Sequence, residues 1–164
     1  MNILNTMSMR NRLLLVLALP VLGLLFFSLF SAVEKAQTAG NMDRLEALAV
    51  LSVKLGAAAH ELQKERGMTG GFLGSKGQKF ANELPAQTKE ADKRITALKD
   101  ALKGFDKSAY GAALSGAVDE AVRSLDGLGA KREAVSAQGI AGAEAIGYYT
   151  HAIGSMLAIP RMAT

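Results

Sequence analysis

A charged helix end meets a run of small residues in the stretch His60-Glu-Leu-Gln-Lys-Glu-Arg-Gly-Met-Thr-Gly-Gly-Phe-Leu-Gly-Ser-Lys-Gly77. Upstream of it, apolar residues recur every three or four positions, which is the spacing of one helix face. The stripe runs through Leu48, Leu51, Leu55, Ala59 and Leu62, and its next position is Arg66. A guanidinium on a core-facing stripe is costly unless an anion or a carboxylate pairs with it. The stretch therefore predicts a long amphipathic helix with one arginine of special interest.

Three further apolar stripes with helical spacing follow, over residues 80–105, 114–135 and 146–157. We expect turns at 74–77, 104–111 and 136–142, where glycine and small polar residues collect. Proline is tolerated in a first helical turn, so Pro85 is expected near a helix start. No stretch shows the alternation of a strand. The predicted fold is all-α: an N-terminal transmembrane helix that continues into an antiparallel bundle of about four helices.

The predicted membrane segment is residues 13–33, which carry no charged side chain. At about 1.5 Å per residue, these 21 residues would span roughly 31 Å, close to the apolar thickness of a bilayer. Arg10 and Arg12 precede the segment and Glu34 follows it. The positive-inside rule then predicts a cytoplasmic N-terminus at 1–12 and a periplasmic domain at 34–164. A cleaved signal peptide is the competing interpretation, but the apolar run is long for one and lacks a cleavage motif.

The composition narrows the function classes. The chain of 164 residues has no cysteine, which excludes a disulfide framework, a thiolate metal site and a cysteine nucleophile. From residue 34 onward there are 17 basic and 15 acidic side chains, without a basic run interleaved with aromatics. We therefore expect no nucleic-acid partner. No acid/base pair or nucleophile arrangement is recognisable, so we expect no catalysis and no cofactor.

Two arginines lie on apolar stripes. Arg66 has two interpretations: a structural ion pair with Glu65, Glu61 or a carboxylate of another helix, or capture of a flat oxyanion by its paired donors. If the helix broke at Gly67, free backbone N–H groups could join the anion site. Arg132 is expected on a solvated face, although two inward arginines could clamp a small anion between them.

Other motifs give weaker signals. The glycine run fails the phosphate-loop pattern in spacing, order and context. His60 and His151 have no partner at metal-ligand spacing, so no metal site is predicted and both are expected to be packing or surface residues. Tyr149, at the start of the last stripe, is expected in the core.

The stretch from His60 to Ser75 resembles the signature of nitrate- and nitrite-sensing (NIT) domains, roughly L-Q-x-E-R-G-x-[ST]-x-G-[FY]-L. The matching positions are Leu62, Gln63, Glu65, Arg66, Gly67, Thr69, Gly71, Phe72 and Leu73. The apolar N-terminal segment is similar to the anchor of bacterial methyl-accepting chemotaxis proteins that carry this domain. The resemblance implies an all-helical sensor of nitrate or nitrite in which Arg66 contacts the anion and the backbone at Gly67 and Met68 lies beside it.

The resemblance extends the predicted site and the predicted context. The anion-binding residues are predicted to be Arg66, Gly67, Met68 and Thr69, with Arg132 as a candidate second contact. The family domain is longer and supplies a further arginine from a later helix, so we expect an incomplete sensor domain here. The predicted function is a chemoreceptor fragment in the bacterial inner membrane, forming a homodimer, that senses nitrate, nitrite or a similar anion. The alternative is a membrane-anchored scaffold without a ligand.

Overall fold

The computed structural model describes residues 9–162, and all regular structure in this range is helical. There are five α-helices: α1 (Met9–Gly74), α2 (Glu83–Lys103), α3 (Ala112–Asp126), α4 (Leu128–Ser136) and α5 (Gly142–Ala158). Short 3-10 turns lie at Lys107–Tyr110 and Ile159–Met162. The chain divides by packing into residues 1–46 and residues 47–164. The all-α prediction is confirmed, and the second unit holds the candidate site.

The helices of the second unit run antiparallel to their neighbours. Contacts between α2 and the α3–α4 segment pair Asp92 with Arg132 and Lys99 with Asp126. The residue number therefore rises along α2 as it falls along the α3–α4 segment, as in antiparallel helices. The same order holds between that segment and α5. There, the contacts join Ser124 with Tyr148, Glu120 with His151, and Lys131 with Glu144. The predicted antiparallel bundle is thus observed.

The core forms where the apolar stripes face each other. On α1 it begins at Leu51 and Leu55 and continues through Leu62, each at most 2% exposed. The other helices contribute buried residues that include Ala91, Ile95, Leu98, Leu114, Val118, Leu125, Leu128, Tyr149, Ile153 and Met156. The last stripe is met only in part, since Ile146 and Leu157 are 39% and 40% exposed and Met156 is buried instead. Burying one such side chain contributes about 1.5–3 kcal/mol to folding. The packing of these stripes is therefore what holds the helices around the site.

One predicted boundary differs from the structure. The third stripe was expected to form one helix, but α3 ends at Asp126 and α4 begins at Leu128. Gly127 lies between them, and a Cβ there would collide with the Tyr148 hydroxyl, which donates to the Ser124 carbonyl at 2.6 Å. The first helix continues past Gly67 to Gly74, where the predicted turn follows.

Gly127→Ala is expected to destabilise the bundle by about 1–2 kcal/mol, because the added methyl displaces the Tyr148 hydroxyl from its acceptor. Gly129→Ala is the matched control: it lies in the first turn of α4, and an added Cβ meets nothing within 4 Å. Urea unfolding followed by circular dichroism would compare the two variants. Equal midpoints would contradict the assigned role of Gly127.

The predicted membrane helix at residues 13–33 is not supported by the structure. These residues are helical, as part of α1. Yet among the residues that the structure describes, no helix has the length and apolarity that crossing a membrane requires. Residues 1–8, within the predicted cytoplasmic N-terminus, and the side chains of residues 13–16 and 19 lie outside the described part of the chain.

Candidate functional site

The centre of the bundle contains a buried carboxylate, Glu65 on α1, whose exposed fraction is 0%. Its Oε1 accepts hydrogen bonds from the Tyr149 hydroxyl on α5 at 2.8 Å and from the Thr88 hydroxyl on α2 at 3.3 Å. Arg132 on α4 donates through Nε to Oε1 at 2.7 Å and through Nη2 to Oε2 at 2.8 Å. One side chain of α1 thereby connects to three other helices.

Arg132 lies between two carboxylates, since its Nη1 also donates to Asp92 on α2 at 2.6 Å. Its side chain is only 17% exposed, so the expectation of a solvated face was wrong. Burial disfavours the charged form, but the hydrogen bonds to Glu65 and Asp92 outweigh it and raise the pKa of the Arg132 guanidinium above its usual value. Arg132 therefore stays cationic, with Nε, Nη1 and Nη2 all engaged by carboxylate oxygens.

Tyr149 is buried, as predicted, and it also serves as a hydrogen-bond donor. Burial raises the pKa of its phenol, and the neighbouring Glu65 carboxylate raises it further. The Thr69 hydroxyl lies close enough to oppose this slightly, but it does not reach hydrogen-bonding geometry. The phenol therefore stays protonated, and its O–H donates a hydrogen bond to Glu65.

Arg66 lies one residue beyond Glu65 and is only partly buried. Its Nη1 donates to the Thr150 hydroxyl on α5 at 3.0 Å. The core-facing position that follows Leu62 belongs to Glu65, three residues on, and not to Arg66, four residues on. Both carboxylates proposed as partners of Arg66 are engaged elsewhere, Glu65 by Arg132 and Glu61 by Lys64. Within residues 9–162, no carboxylate forms an ion pair with Arg66.

The backbone beside Arg66 is ordinary helix. Since α1 is continuous through Gly67, Met68 and Thr69, their N–H groups lie inside the helical hydrogen-bond ladder. The free N–H groups that a break at Gly67 would have supplied are therefore not formed. A Cβ added at Gly67 would meet nothing within 4 Å, so the helix surface next to Arg66 is open.

Glu65 also lines a cavity of about 440 Å³, which Arg66 does not reach. Thr69 and Arg132 line it, whereas Arg66, Gly67 and Met68 do not. The Thr69 side chain is completely buried, and its hydroxyl has no hydrogen-bond partner. The structure thus divides the predicted anion site in two: Arg66 contacts α5 at Thr150, and Thr69 and Arg132 face the cavity.

Comparison with known proteins decides the family. The family model described as nitrate and nitrite sensing matches residues 57–164, which is well over half of the chain. The chain belongs to the NIT family. The match includes Glu65, Arg66 and Arg132, so the NIT domain of this chain contains both the buried network and the partly buried Arg66. No curated protein matches the sequence.

A solved structure similar to this chain is that of the NasR transcription antiterminator. The two share 30% sequence identity with a TM-score of 0.69, and the alignment covers 81% of this chain. It covers only 37% of the NasR chain. The similarity therefore concerns the NIT domain and its neighbouring helical residues, not the whole of NasR. Because that relative is an antiterminator, the expectation of no nucleic-acid partner has no support from the comparison.

Sequence reasoning missed the buried network. Thr88 and Asp92 were not singled out, Glu65 was considered only as a partner of Arg66 and a motif position, and Tyr149 only as a packing residue. The available signal was that Glu65 is also at helical spacing from Leu62, three residues on instead of four. A stripe that continues with Leu62, Glu65 and Thr69 would have predicted a carboxylate in the core. Such a carboxylate needs a cationic partner, which would then have been expected on another helix.

Proposed function

We propose that this NIT domain binds nitrate or nitrite at Arg66 and transmits the binding event through α1 and α5, without catalysis. The observation that carries the proposal is the state of Arg66 within a NIT family member. The residue that matches the family arginine is partly exposed and contacts only a neutral hydroxyl. A guanidinium with no carboxylate partner among the described residues keeps donors for a planar anion.

We infer the location of the anion from the contacts that it would have to displace at each arginine. An anion at Arg132 would have to displace Glu65 or Asp92, and an unpaired Glu65 would be a buried charge without compensation. An anion at Arg66 displaces only the hydrogen bond to Thr150. The open surface of Gly67, and Met68 after it, would lie beside such an anion. We therefore assign the anion to Arg66 and treat Arg132 as part of the scaffold.

A route for the signal lies in two consecutive contacts between α1 and α5. Glu65 binds Tyr149, and the next residue, Arg66, binds Thr150. An anion that draws Arg66 away from Thr150 would weaken the second contact while the buried first contact holds. A ligand shifts an arrangement by its preference for one state over another. The shift proposed here is a change in how the end of α1 packs against α5.

The output that this sensor serves has two candidates. The apolar, uncharged residues 13–33 are the basis for a membrane-bound chemoreceptor with a periplasmic sensor, and the homodimer rests on the family resemblance alone; both stay predictions from the sequence. The similarity to a transcription antiterminator favours an output that acts on transcription. Fractionation of cells that express the chain would separate them: recovery in the membrane pellet that resists carbonate washing supports the receptor, and recovery in the supernatant supports the second candidate.

The scaffolding alternative makes a different claim about Arg66. It requires Arg66 to serve as half of a structural ion pair. Within the described residues its contact is the Thr150 hydroxyl, which leaves that interpretation without its carboxylate. A buried ion pair that does connect two helices is that of Glu65 with Arg132.

Thermal unfolding in nitrate and in chloride at equal ionic strength tests the proposal. A ligand that binds only the folded state stabilises it, by about 2.7 kcal/mol at a hundredfold excess over the dissociation constant. We expect the melting temperature to rise with nitrate or nitrite in a saturable way. Arg66→Gln provides the baseline for the general effect of the salt. Identical responses of the two proteins would contradict anion binding at Arg66.

A further inference from the structure

We propose that the cavity beside Glu65 is a second ligand site, which takes a small organic acid with an apolar body and a polar atom at its inner end. This goes beyond the anion site, because Arg66 does not line the cavity. Three independent features of the cavity carry the proposal: its size and lining, an unsatisfied buried hydroxyl, and an unpaired cation at its rim.

The cavity suits an organic molecule better than a bare oxyanion. Its volume of about 440 Å³ falls within the range of small-molecule sites in proteins. Most of the wall is apolar and comes from α1, α2 and α4, with Phe72, Leu84, Pro85 and Val135 as the larger side chains. A nitrate ion would leave most of this apolar surface uncovered. A compact ring or a short branched chain would cover it.

The inner end of the cavity holds a polar group without a partner. The Thr69 hydroxyl is fully buried and makes no hydrogen bond. Buried polar groups almost always have a partner, because leaving one unsatisfied costs about 1–3 kcal/mol. Valine would fill the same space without that cost. A hydroxyl here is therefore explained by a ligand atom that donates to it or accepts from it.

The charges around the cavity favour a single negative charge on the ligand. Glu65 and Arg132 satisfy each other, and Arg132 also holds Asp92. Lys89 lines the rim and is exposed, and no carboxylate in residues 9–162 pairs with it. Its ammonium group can meet a carboxylate at the mouth while the apolar body enters. The proposed ligand thus lies with its carboxylate at Lys89 and its second polar atom at Thr69.

The test uses the purified full chain and three probes that share one ring: 4-hydroxybenzoate, benzoate and 4-hydroxybenzyl alcohol. The first has both polar ends, the second lacks the hydroxyl and the third lacks the charge. Isothermal titration calorimetry is expected to give the tightest saturable binding for 4-hydroxybenzoate. Loss of either end is expected to weaken binding about tenfold, the effect of one hydrogen bond of about 1.4 kcal/mol.

Two variants assign the contacts. Thr69→Val is expected to remove the preference for 4-hydroxybenzoate over benzoate, and Lys89→Gln the preference for 4-hydroxybenzoate over 4-hydroxybenzyl alcohol. Lys103→Gln is the control, since Lys103 is an exposed lysine of α2 that pairs with Asp100 outside the cavity. Helical circular dichroism checks folding, and Lys89→Gln keeps the test available if Thr69→Val does not fold.

The outcomes are distinct from those of the anion site. Probe binding that both variants weaken and that Lys103→Gln leaves unchanged supports the second site, whatever nitrate does. The absence of saturable binding by all three probes overturns it, as does binding that neither variant changes. A nitrate response that is lost in Arg66→Gln while probe binding persists would show two separate sites.

Discussion

Glu65→Leu is expected to destabilise the helical bundle by about 3 kcal/mol, at the lower end of the cost of breaking a buried ion pair. The substitution leaves the Arg132 side chain, 17% exposed, with only Asp92 as a partner, and it removes the acceptor of the Tyr149 hydroxyl. The remaining Asp92 contact is why the cost is not larger. Heat unfolding followed by circular dichroism at 222 nm should show a fall of roughly 10 °C in the melting temperature.

Two controls make this result specific to the buried network. Glu90→Leu removes an exposed carboxylate that pairs with Lys93 on α2, and such surface pairs contribute about 0–1 kcal/mol. The double variant Glu65→Leu, Arg132→Met replaces both charges with apolar groups and should regain part of the loss. The regain is partial, because the Tyr149 hydroxyl still lacks its acceptor. A Glu65→Leu protein as stable as the parent would contradict the structural role assigned to this carboxylate.

Arg66→Gln is expected to weaken nitrate binding by at least tenfold while the bundle stays folded. Hydrogen bonds to charged groups contribute about 1.5–3 kcal/mol, so loss of the guanidinium weakens affinity by roughly 10- to 150-fold. Stability should change little, since Arg66 contributes one hydrogen bond to the exposed Thr150. Isothermal titration with sodium nitrate, against a sodium chloride blank, measures the affinity.

Arg66→Lys separates charge from shape. Lysine keeps the positive charge but loses the planar pair of donors, so nitrate affinity should fall to a value between those of the parent and Arg66→Gln. Arg94→Gln is the matched control, because Arg94 is an exposed arginine of α2 that pairs with Glu90. Affinity unchanged in Arg66→Gln, or reduced equally in Arg94→Gln, would count against Arg66 as the anion contact.

Glu65→Leu and Arg66→Gln change neighbouring residues with different expected roles. Glu65 points into the bundle and connects α1 to three helices, and Arg66 lies at the surface next to α5. A loss of stability is expected from the first substitution and a loss of ligand from the second. On the proposed function, the family motif that contains both residues combines a structural contact at Glu65 with a recognition contact at Arg66.

Helical periodicity predicted most of the bundle. The stripes on α2, α3 and α5 are buried at Ile95, Val118 and Ile153, as expected. Such patterns are local, because a residue and its neighbours three and four positions on share a face whatever the rest of the chain does. The division at Gly127 was not predicted, since it depends on where Tyr148 of another helix lies.

The site was predicted less well than the fold. The motif correctly indicated the family, while the anion contact at Arg66 stays a prediction. The solvated face expected for Arg132 was wrong, and the helix break considered at Gly67 is not formed. The first concerned how α4 packs against its neighbours, and the second whether α1 continues. Neither can be read from the apolar stripe of a single helix.

The sequence by itself determined that this chain is helical, where most of its turns lie, and that its His60–Gly77 stretch resembles a nitrate- and nitrite-sensing family. Only the tertiary structure decided which charge of the Glu65-Arg66 pair faces inward. Successive residues of an α-helix differ by about 100° in direction, so a rotation of α1 by about that angle would exchange their environments. That rotation is set by Arg132 and Tyr149, 67 and 84 residues further along the chain.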